Sequence, residues 1–240
     1  MARDVVLLHG FTHTGASWNP VVAALGESYR SFAPDIRGHG SAAWRAPVTL
    51  EAVLDDLAAL APTRFTLVGY SMGGRIALHA ALAPALQARI DGLVLIGASP
   101  GIATAAEREA RRAADERLAD EVDRMTIEQF AERWARTPVL AGQPARVAAA
   151  VHADRLRNQP AALAGALRGL GTGALPSVWS RLSEIRTPAA LIVGDRDQKF
   201  GTIAAEMALE LPDASVAVVQ GAGHAVHLES PARVAAAIPR

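Results

Sequence analysis

Short apolar runs alternate along this chain with longer stretches whose apolar residues recur at helical spacing. Because the short runs are apolar throughout, they are typical of strands buried on both faces of a parallel sheet. Strands are predicted at 5–8, 30–33, 65–69, 92–97, 189–194 and 215–219. Helices are predicted at 20–25, 50–60, 73–83, 203–211 and 231–238. This alternation predicts an α/β fold with a doubly wound, mostly parallel sheet.

The alternation stops between about residues 102 and 181. This stretch has Ala- and Arg-rich helical patterns and no convincing strand, with boundaries at Thr137-Pro138, Gln159-Pro160 and 169–176. A helical block inserted into a parallel sheet is most simply a cap over the carboxyl ends of the strands. We therefore predict an α/β core at 1–101 and 182–240, with a helical cap inserted at 102–181.

The junction between the third strand and its helix carries the motif G-x-S-x-G, Gly69 to Gly73, with Ser71 at its centre. A strand that turns sharply into a helix places this serine in a tight, strained turn, and the flanking glycines avoid Cβ clashes. The helix N-terminus beside it favours developing negative charge. This context favours the nucleophile elbow of the α/β-hydrolase fold over an ordinary strand–loop–helix junction.

An elbow serine needs a base to take its proton, and the base needs an acid to orient it. His224 follows the last predicted strand, and Asp197 follows the strand before it. The chain order Ser71, Asp197, His224 is the order found in α/β hydrolases. Asp195 is a rival for the acid. The oxyanion donors are expected to be the backbone N–H groups of Phe11 and Met72.

The other histidines are weaker candidates for the base, because none of the three on loops at this edge (His9, His13 and His39) follows the last strand. His79 lies within a helix and is interpreted as packed, and His227 as a supporting or surface residue. A metal site at His224-x-x-His227 is poorly supported, since no acidic or thiol partner has ligand-like spacing. We therefore expect neither a metal nor a cofactor.

Composition narrows the function further. The 240 residues are half hydrophobic, carry zero formal net charge and include no cysteine. These values argue against a nucleic-acid surface, a polybasic membrane contact, a disulfide framework or a thiol nucleophile. The start is too short and too acidic for a signal peptide, and no run approaches the roughly 20 apolar residues of a membrane span. We expect a cytoplasmic protein with a small-molecule substrate, as a monomer or small homo-oligomer.

Over nearly its full length the chain resembles the 2-succinyl-6-hydroxy-2,4-cyclohexadiene-1-carboxylate (SHCHC) synthase family. The members of this family are lyases of menaquinone biosynthesis with the α/β-hydrolase fold. The resemblance rests on eight stretches, beginning with His9-Gly10-Phe11, the elbow through Arg75, and Ala98-Ser99-Pro100-Gly101. The others are Glu107-Arg108-x-x-Arg111, Trp134-x-x-x-Pro138-Val139, Arg155-Leu156-Arg157-Asn158, 194–200 and Ala222-Gly223-His224. The Arg after the elbow, the cap arginines and Lys199-Phe200 are its more specific part.

The resemblance implies that the enzyme eliminates pyruvate from 2-succinyl-5-enolpyruvyl-6-hydroxy-3-cyclohexene-1-carboxylate. It implies a triad of Ser71, Asp197 and His224, in which the serine removes a ring proton without forming an acyl-enzyme. It implies that five further residues hold the substrate: Tyr70, Arg75, Arg111, Trp134 and Arg155. Arg108 or Arg112 could replace Arg111 in this role, and Arg157 could replace Arg155.

Arg75 supports this expectation on physical grounds. It lies four residues after Ser71, on the same helix face and near a helix N-terminus that repels cations. An arginine there makes sense if an anion occupies the space beside it. Two other functions are weighed against the lyase: an esterase or C–C bond hydrolase acting through an acyl-enzyme, and a non-catalytic ligand-binding protein. A lipid or aryl esterase would have an apolar cap lining, and a binding protein has no need of a complete triad.

Overall fold

The computed structural model describes residues 2–140 and 142–239 and shows one six-stranded sheet. The strands lie in the order β2-β1-β3-β4-β5-β6, and all five neighbouring pairs are parallel. Their bounds are β1 Arg3–Leu8, β2 Tyr29–Phe32, β3 Phe65–Tyr70, β4 Ile90–Ile96, β5 Ala189–Gly194 and β6 Ala214–Val219. The predicted α/β fold with a parallel sheet is confirmed.

Helices cover both faces of the sheet. One face packs under α2 (Leu50–Leu60), α3 (Met72–Ala81) and α8 (Gln198–Glu210). The other packs under α1 (Asn19–Leu25), α9 (Val226–Glu229) and α10 (Pro231–Ala237). Successive residues of the buried strands alternate between these two apolar clusters, because side chains in a strand point to opposite faces. The double winding expected from continuous apolar strands is confirmed.

Some predicted bounds are wrong by several residues. The helix predicted at 203–211 begins at Gln198, since the Asp197 side chain caps it by accepting a hydrogen bond from the Phe200 N–H at 3.4 Å. Gln198 and Lys199, with which it begins, are polar and exposed, so apolar spacing gave no sign of this start. The helix predicted at 73–83 ends at Ala81, and the strand predicted at 92–97 begins at Ile90.

Every described element between β4 and β5, apart from short 3₁₀ turns, is an α-helix, as predicted for this stretch. We call residues 102–181 the helical insertion. Its helices are α4 (Ala105–Val122), α5 (Ile127–Ala135), α6 (Ala145–Arg155) and α7 (Pro160–Leu170). Packing of α4 and α5 against α7 gives the insertion a small apolar cluster of its own. No helix in the described ranges is long and apolar enough to cross a membrane.

Candidate active site

Ser71 lies in the strained turn between β3 and α3. Its backbone has φ 52° and ψ −108°, a left-handed conformation that a residue with a side chain rarely adopts. A Cβ at Gly73 would collide with the carbonyl oxygen of Leu8, and one at Gly69 would collide with the carbonyl of Gly73. Glycine is therefore required at both positions for β1, β3 and α3 to approach this closely.

The structure brings Ser71, His224 and Asp197 together. The Oγ of Ser71 lies 3.1 Å from His224 Nε2, and His224 Nδ1 lies 2.6 Å from Asp197 Oδ2. Asp195 is turned away and accepts a hydrogen bond from the Gly221 N–H at 2.9 Å. Both ring nitrogens of His224 are thus engaged by protein. The arrangement can move a proton from the serine to the imidazole, with the carboxylate stabilising the charged ring.

Two backbone amides are available beside the serine. Phe11, in the loop after β1, and Met72, at the first position of α3, both line the same cavity as Ser71. Within residues 2–140 and 142–239, neither N–H donates to a protein acceptor. The Phe11 loop continues through Thr12, whose φ of 71° is also left-handed. These amides can stabilise an oxygen that gains negative charge.

The cavity measures about 800 Å³ and lies between the carboxyl ends of the strands and the helical insertion. The core contributes the serine, the histidine and the two amide-bearing residues. Among the described residues its lining contains four cations and one carboxylate, which is hydrogen-bonded to the histidine. Two of the cations are paired with carboxylates behind the wall, which leaves the lining with an excess of positive charge. The four cations are Arg75, Arg111, Arg196 and Lys199. Such a lining suits an anionic ligand with more than one charge.

Arg75 is the least compensated of these cations. Its side chain forms no ion pair with any carboxylate of the described residues, and its buried Nε has no acceptor there. Burial, together with the nearby charge of Arg111, lowers the pKa of Arg75 to about 10, so it remains protonated at neutral pH. A half-buried guanidinium whose Nε has no partner costs free energy, which an anion in the cavity would offset.

The insertion contributes Arg111 and Trp134 to the lining. The Nε of Arg111 donates to Asp115 Oδ1 at 2.7 Å, and about 45% of its side chain is exposed. Arg108 and Arg112 do not line this cavity. Trp134 packs edge-on against Phe11, with ring centroids 5.1 Å apart. The sequence favoured Arg111 among its neighbours, and its position on the cavity wall agrees with that choice.

Tyr70 and Arg155, both expected to hold the substrate, lie behind the cavity wall. The Tyr70 ring packs on His224, at a centroid distance of 5.3 Å, and burial raises its pKa above the usual value. Arg155 is about 1% exposed and donates to Thr12 Oγ1 and to Ala131 O, both at 3.3 Å. Arg155 thus supports the Phe11–Thr12 loop, and neither residue lines the cavity. Arg157 is exposed and does not line it either.

His227 was expected to be a supporting or surface residue, and the surface alternative is wrong. It is fully buried, and its ring centroid lies 4.1 Å from that of Tyr70 and 4.9 Å from that of Trp18. Burial holds its pKa well below the ordinary value for histidine, so it is neutral. The reason is topological, since α9 folds back under the sheet immediately after His224.

Arg196 and Trp179 are among the lining residues that the sequence did not predict as part of the site. Arg196 lies between the two candidate acids, in a loop already placed at this edge, so its position could have revealed it. Trp179 lies at the end of the insertion and donates from Nε1 to Gly101 O at 3.1 Å. No motif marks Trp179, because its place on the wall depends on how the insertion returns to the core.

Comparisons with known proteins agree with this geometry. The Alpha/beta hydrolase family pattern matches residues 5–237. The SHCHC synthase of Enterobacter sp. (strain 638) is 34% identical over 98% of this chain and 89% of its own length. A Bacillus subtilis (strain 168) protein, named provisionally as the same synthase, is 37% identical over 96% of this chain and 86% of its own length.

Among solved structures, MenH from S. aureus superposes with a TM-score of 0.91 at 29% identity, covering 98% of this chain and 91% of its own. A malate-bound thermophilic esterase from Thermogutta terrifontis superposes with a TM-score of 0.81 at 27% identity, covering 99% and 88%. The two sequence relatives are similar over 86% and 89% of their own length. The chain therefore belongs to the SHCHC synthase family of the α/β hydrolases.

Proposed function

We propose that this protein is a lyase that eliminates pyruvate from 2-succinyl-5-enolpyruvyl-6-hydroxy-3-cyclohexene-1-carboxylate to give SHCHC. The observation that carries the proposal is the charge of the cavity, where Arg75 and Lys199 have no carboxylate partner among the described residues and the one lining carboxylate is already engaged by His224. The proposed substrate carries three carboxylates, on its ring, succinyl and enolpyruvyl groups. Arg75, one helical turn from Ser71 and without a carboxylate partner, is the cation best placed to hold one of them.

The proposed reaction is proton abstraction followed by elimination. Ser71 Oγ takes the ring proton next to the succinyl carbonyl while its own proton passes to His224 Nε2. The electron pair left on the ring expels the enolpyruvyl oxygen, and pyruvate departs as its enolate. The enolate then takes the proton from His224, which returns the site to its starting state. Asp197 stabilises the imidazolium in between, and the Phe11 and Met72 amides stabilise the negative carbonyl oxygen.

The helical insertion fits this function as a cap. We propose that residues 102–181 form a cap on a core of residues 1–101 and 182–240. Arg111 and Trp134 of the insertion face Ser71 and Arg75 of the core across the cavity. A biosynthetic lyase with a small anionic substrate would work in the cytoplasm, which is the location we propose.

A serine esterase is the second candidate function. The same serine, histidine and amides could form and hydrolyse an acyl-enzyme, and an esterase of known structure shares the fold. An esterase for neutral substrates would have no use for Arg75 and Arg111 on its cavity wall. The charge of the wall therefore favours the lyase.

The deciding experiment follows pyruvate release from the purified protein with the enolpyruvyl substrate, alongside cleavage of p-nitrophenyl butyrate. We expect pyruvate release far above the spontaneous rate and slow ester cleavage. Ser71→Ala should abolish the lyase reaction, and Ser183→Ala, at an exposed site, should not. Fast ester cleavage with only spontaneous pyruvate loss would contradict the proposal, as would a covalent adduct on Ser71 found by mass spectrometry during lyase turnover.

A further inference from the structure

The loops that carry Asp197 and His224 are joined by one buried carboxylate. Glu229 lies on α9, and about 2% of its side chain is exposed. Its Oε2 accepts a hydrogen bond from the Gly223 N–H at 2.9 Å and forms an ion pair with Arg196 Nη2 at 3.0 Å. Gly223 directly precedes His224, and Arg196 directly precedes Asp197. The same oxygen thus contacts both loops, one residue before each member of the pair.

Arg196 extends this connection in two directions. Its Nη2 also donates to Gly221 O at 2.6 Å, and its backbone N–H donates to Ala222 O at 3.1 Å. Its Nη1 donates to Gly142 O of the helical insertion at 3.1 Å. One side chain therefore joins the loop after β5, the loop after β6 and the insertion.

Stability alone does not account for this arrangement. An ion pair between a half-exposed guanidinium and a buried carboxylate contributes little net free energy to folding, because solvent screens the arginine and desolvation of the carboxylate offsets much of the attraction. In addition, Glu229 Oε1 is buried and has no hydrogen-bond partner among the described residues, which costs free energy. We propose that Glu229 and Arg196 are positioning residues that hold Asp197 Oδ2 within 2.6 Å of His224 Nδ1.

This inference has a kinetic consequence that rests on the proposed function. Glu229→Gln keeps an acceptor for Gly223 but removes the charge that holds Arg196. The two loops should then separate by a fraction of an ångström, and kcat for pyruvate release should fall by about 10- to 100-fold. KM should change little, because Arg75 and Arg111, the arginines proposed to hold the substrate, remain in place. Loss of a substrate contact would instead raise KM.

A spectroscopic measurement tests the inference without any substrate. The short hydrogen bond at His224 Nδ1 should give a low-field proton resonance, assigned by its loss in His224→Gln. We expect this resonance to move upfield in Glu229→Gln and in Arg196→Gln. The second variant guards against misfolding, because the Arg196 side chain is about 46% exposed and tolerates replacement more readily than the buried Glu229. Asp4→Asn, which breaks the surface ion pair with Arg30, should leave the resonance in place.

The outcomes separate the two proposals. A resonance that moves in a protein without lyase activity would support the positioning role and overturn the proposed function. A resonance unchanged in both variants of an active lyase would overturn the positioning role. The positioning role would also be overturned if the losses in kcat added up in the double variant of Glu229→Gln and Arg196→Gln. If the two residues act as one unit, the double variant should lose about as much kcat as either single variant.

Discussion

The two walls of the cavity are built differently. On the core wall, groups with a proposed chemical role are fixed by short contacts with backbone and neighbours, as the 3.1 and 2.6 Å distances around His224 show. On the insertion wall, Arg111 is about half exposed and has one carboxylate neighbour. The core wall is suited to hold atoms for proton transfer, and the insertion wall to supply charge. The difference suggests that replacements on the core wall act mainly on kcat and those on the insertion wall on binding.

The largest expected effect is at the acid of the core wall. Asp197→Asn should lower kcat for pyruvate release by about 10⁴-fold, because an amide stabilises neither the required tautomer nor the imidazolium. Asp195→Asn is the matched control, since its Oδ1 can still accept from Gly221 and it does not contact His224. It should cost less than about tenfold. Steady-state kinetics of both variants measures the two losses. A larger loss of kcat in Asp195→Asn than in Asp197→Asn would reverse our assignment of the acid.

The second prediction compares replacement of one arginine on each wall, Arg75 on the core wall and Arg111 on the insertion wall. Arg75→Met should lower kcat/KM by about 100-fold, because it removes the charge that we propose holds a substrate carboxylate. It should also raise the free energy of unfolding by about 1 kcal/mol, since the guanidinium it removes is half-buried, has a buried Nε without an acceptor and has no carboxylate partner among the described residues.

Arg111→Met should act on stability in the opposite direction. It leaves Asp115, about 4% exposed, without its arginine and should cost about 1–3 kcal/mol. Urea unfolding and lyase kinetics of both variants test the pair, with p-nitrophenyl butyrate as a neutral substrate that neither change should affect strongly. Stability changes of the same sign would contradict the contrast between the walls.

A third prediction concerns pH and His39, a buried histidine behind the core wall that packs edge-on against Phe11. Burial lowers the pKa of His39 to about 3, so this histidine stays neutral in the folded protein while the unfolded chain titrates near its ordinary 6.5. Below pH 6.5 the unfolded state binds the extra proton, so stability falls as pH falls. His39 alone should contribute a loss of about 2 kcal/mol between pH 7 and pH 5.

The variant His39→Asn tests how much of the stability lost between pH 7 and pH 5 comes from His39. The amide can replace the ring Nδ1–H that donates to Arg37 O at 3.3 Å, and it does not titrate. The variant should be less stable at every pH because a buried ring is lost, yet its loss between pH 7 and pH 5 should be about 2 kcal/mol smaller. Urea unfolding at both values gives the difference directly. An unchanged difference would mean that His39 does not titrate on unfolding.

The same contrast explains what the sequence could predict. Ser71, Asp197 and His224 were predictable because parallel strands end at one edge of the sheet, so residues that follow them must meet. Support from the sequence for choosing Asp197 rather than Asp195 as the acid was weaker, since that choice depends on the path of a single loop. The five residues expected to hold the substrate were harder to place, and two of them, Tyr70 and Arg155, lie behind the wall. A long side chain on a helix can point into a cavity or away from it, and spacing does not decide which.

The smallest expected effect lies on the insertion, at the join between α4 and α7. Arg168 is about one third exposed and contacts Glu116, Asp120 and Asp123 at 2.7–2.9 Å. Exposed ion pairs contribute little, so Arg168→Met should cost about 1 kcal/mol or less. Most of that cost should vanish in about 1 M salt, where the screening length falls to about 3 Å. Lyase kinetics should be unaffected, because Arg168 does not line the cavity. Urea unfolding at low and high salt measures both values, and a loss above about 2 kcal/mol that persists at high salt would mean that this join is as firmly held as the core wall.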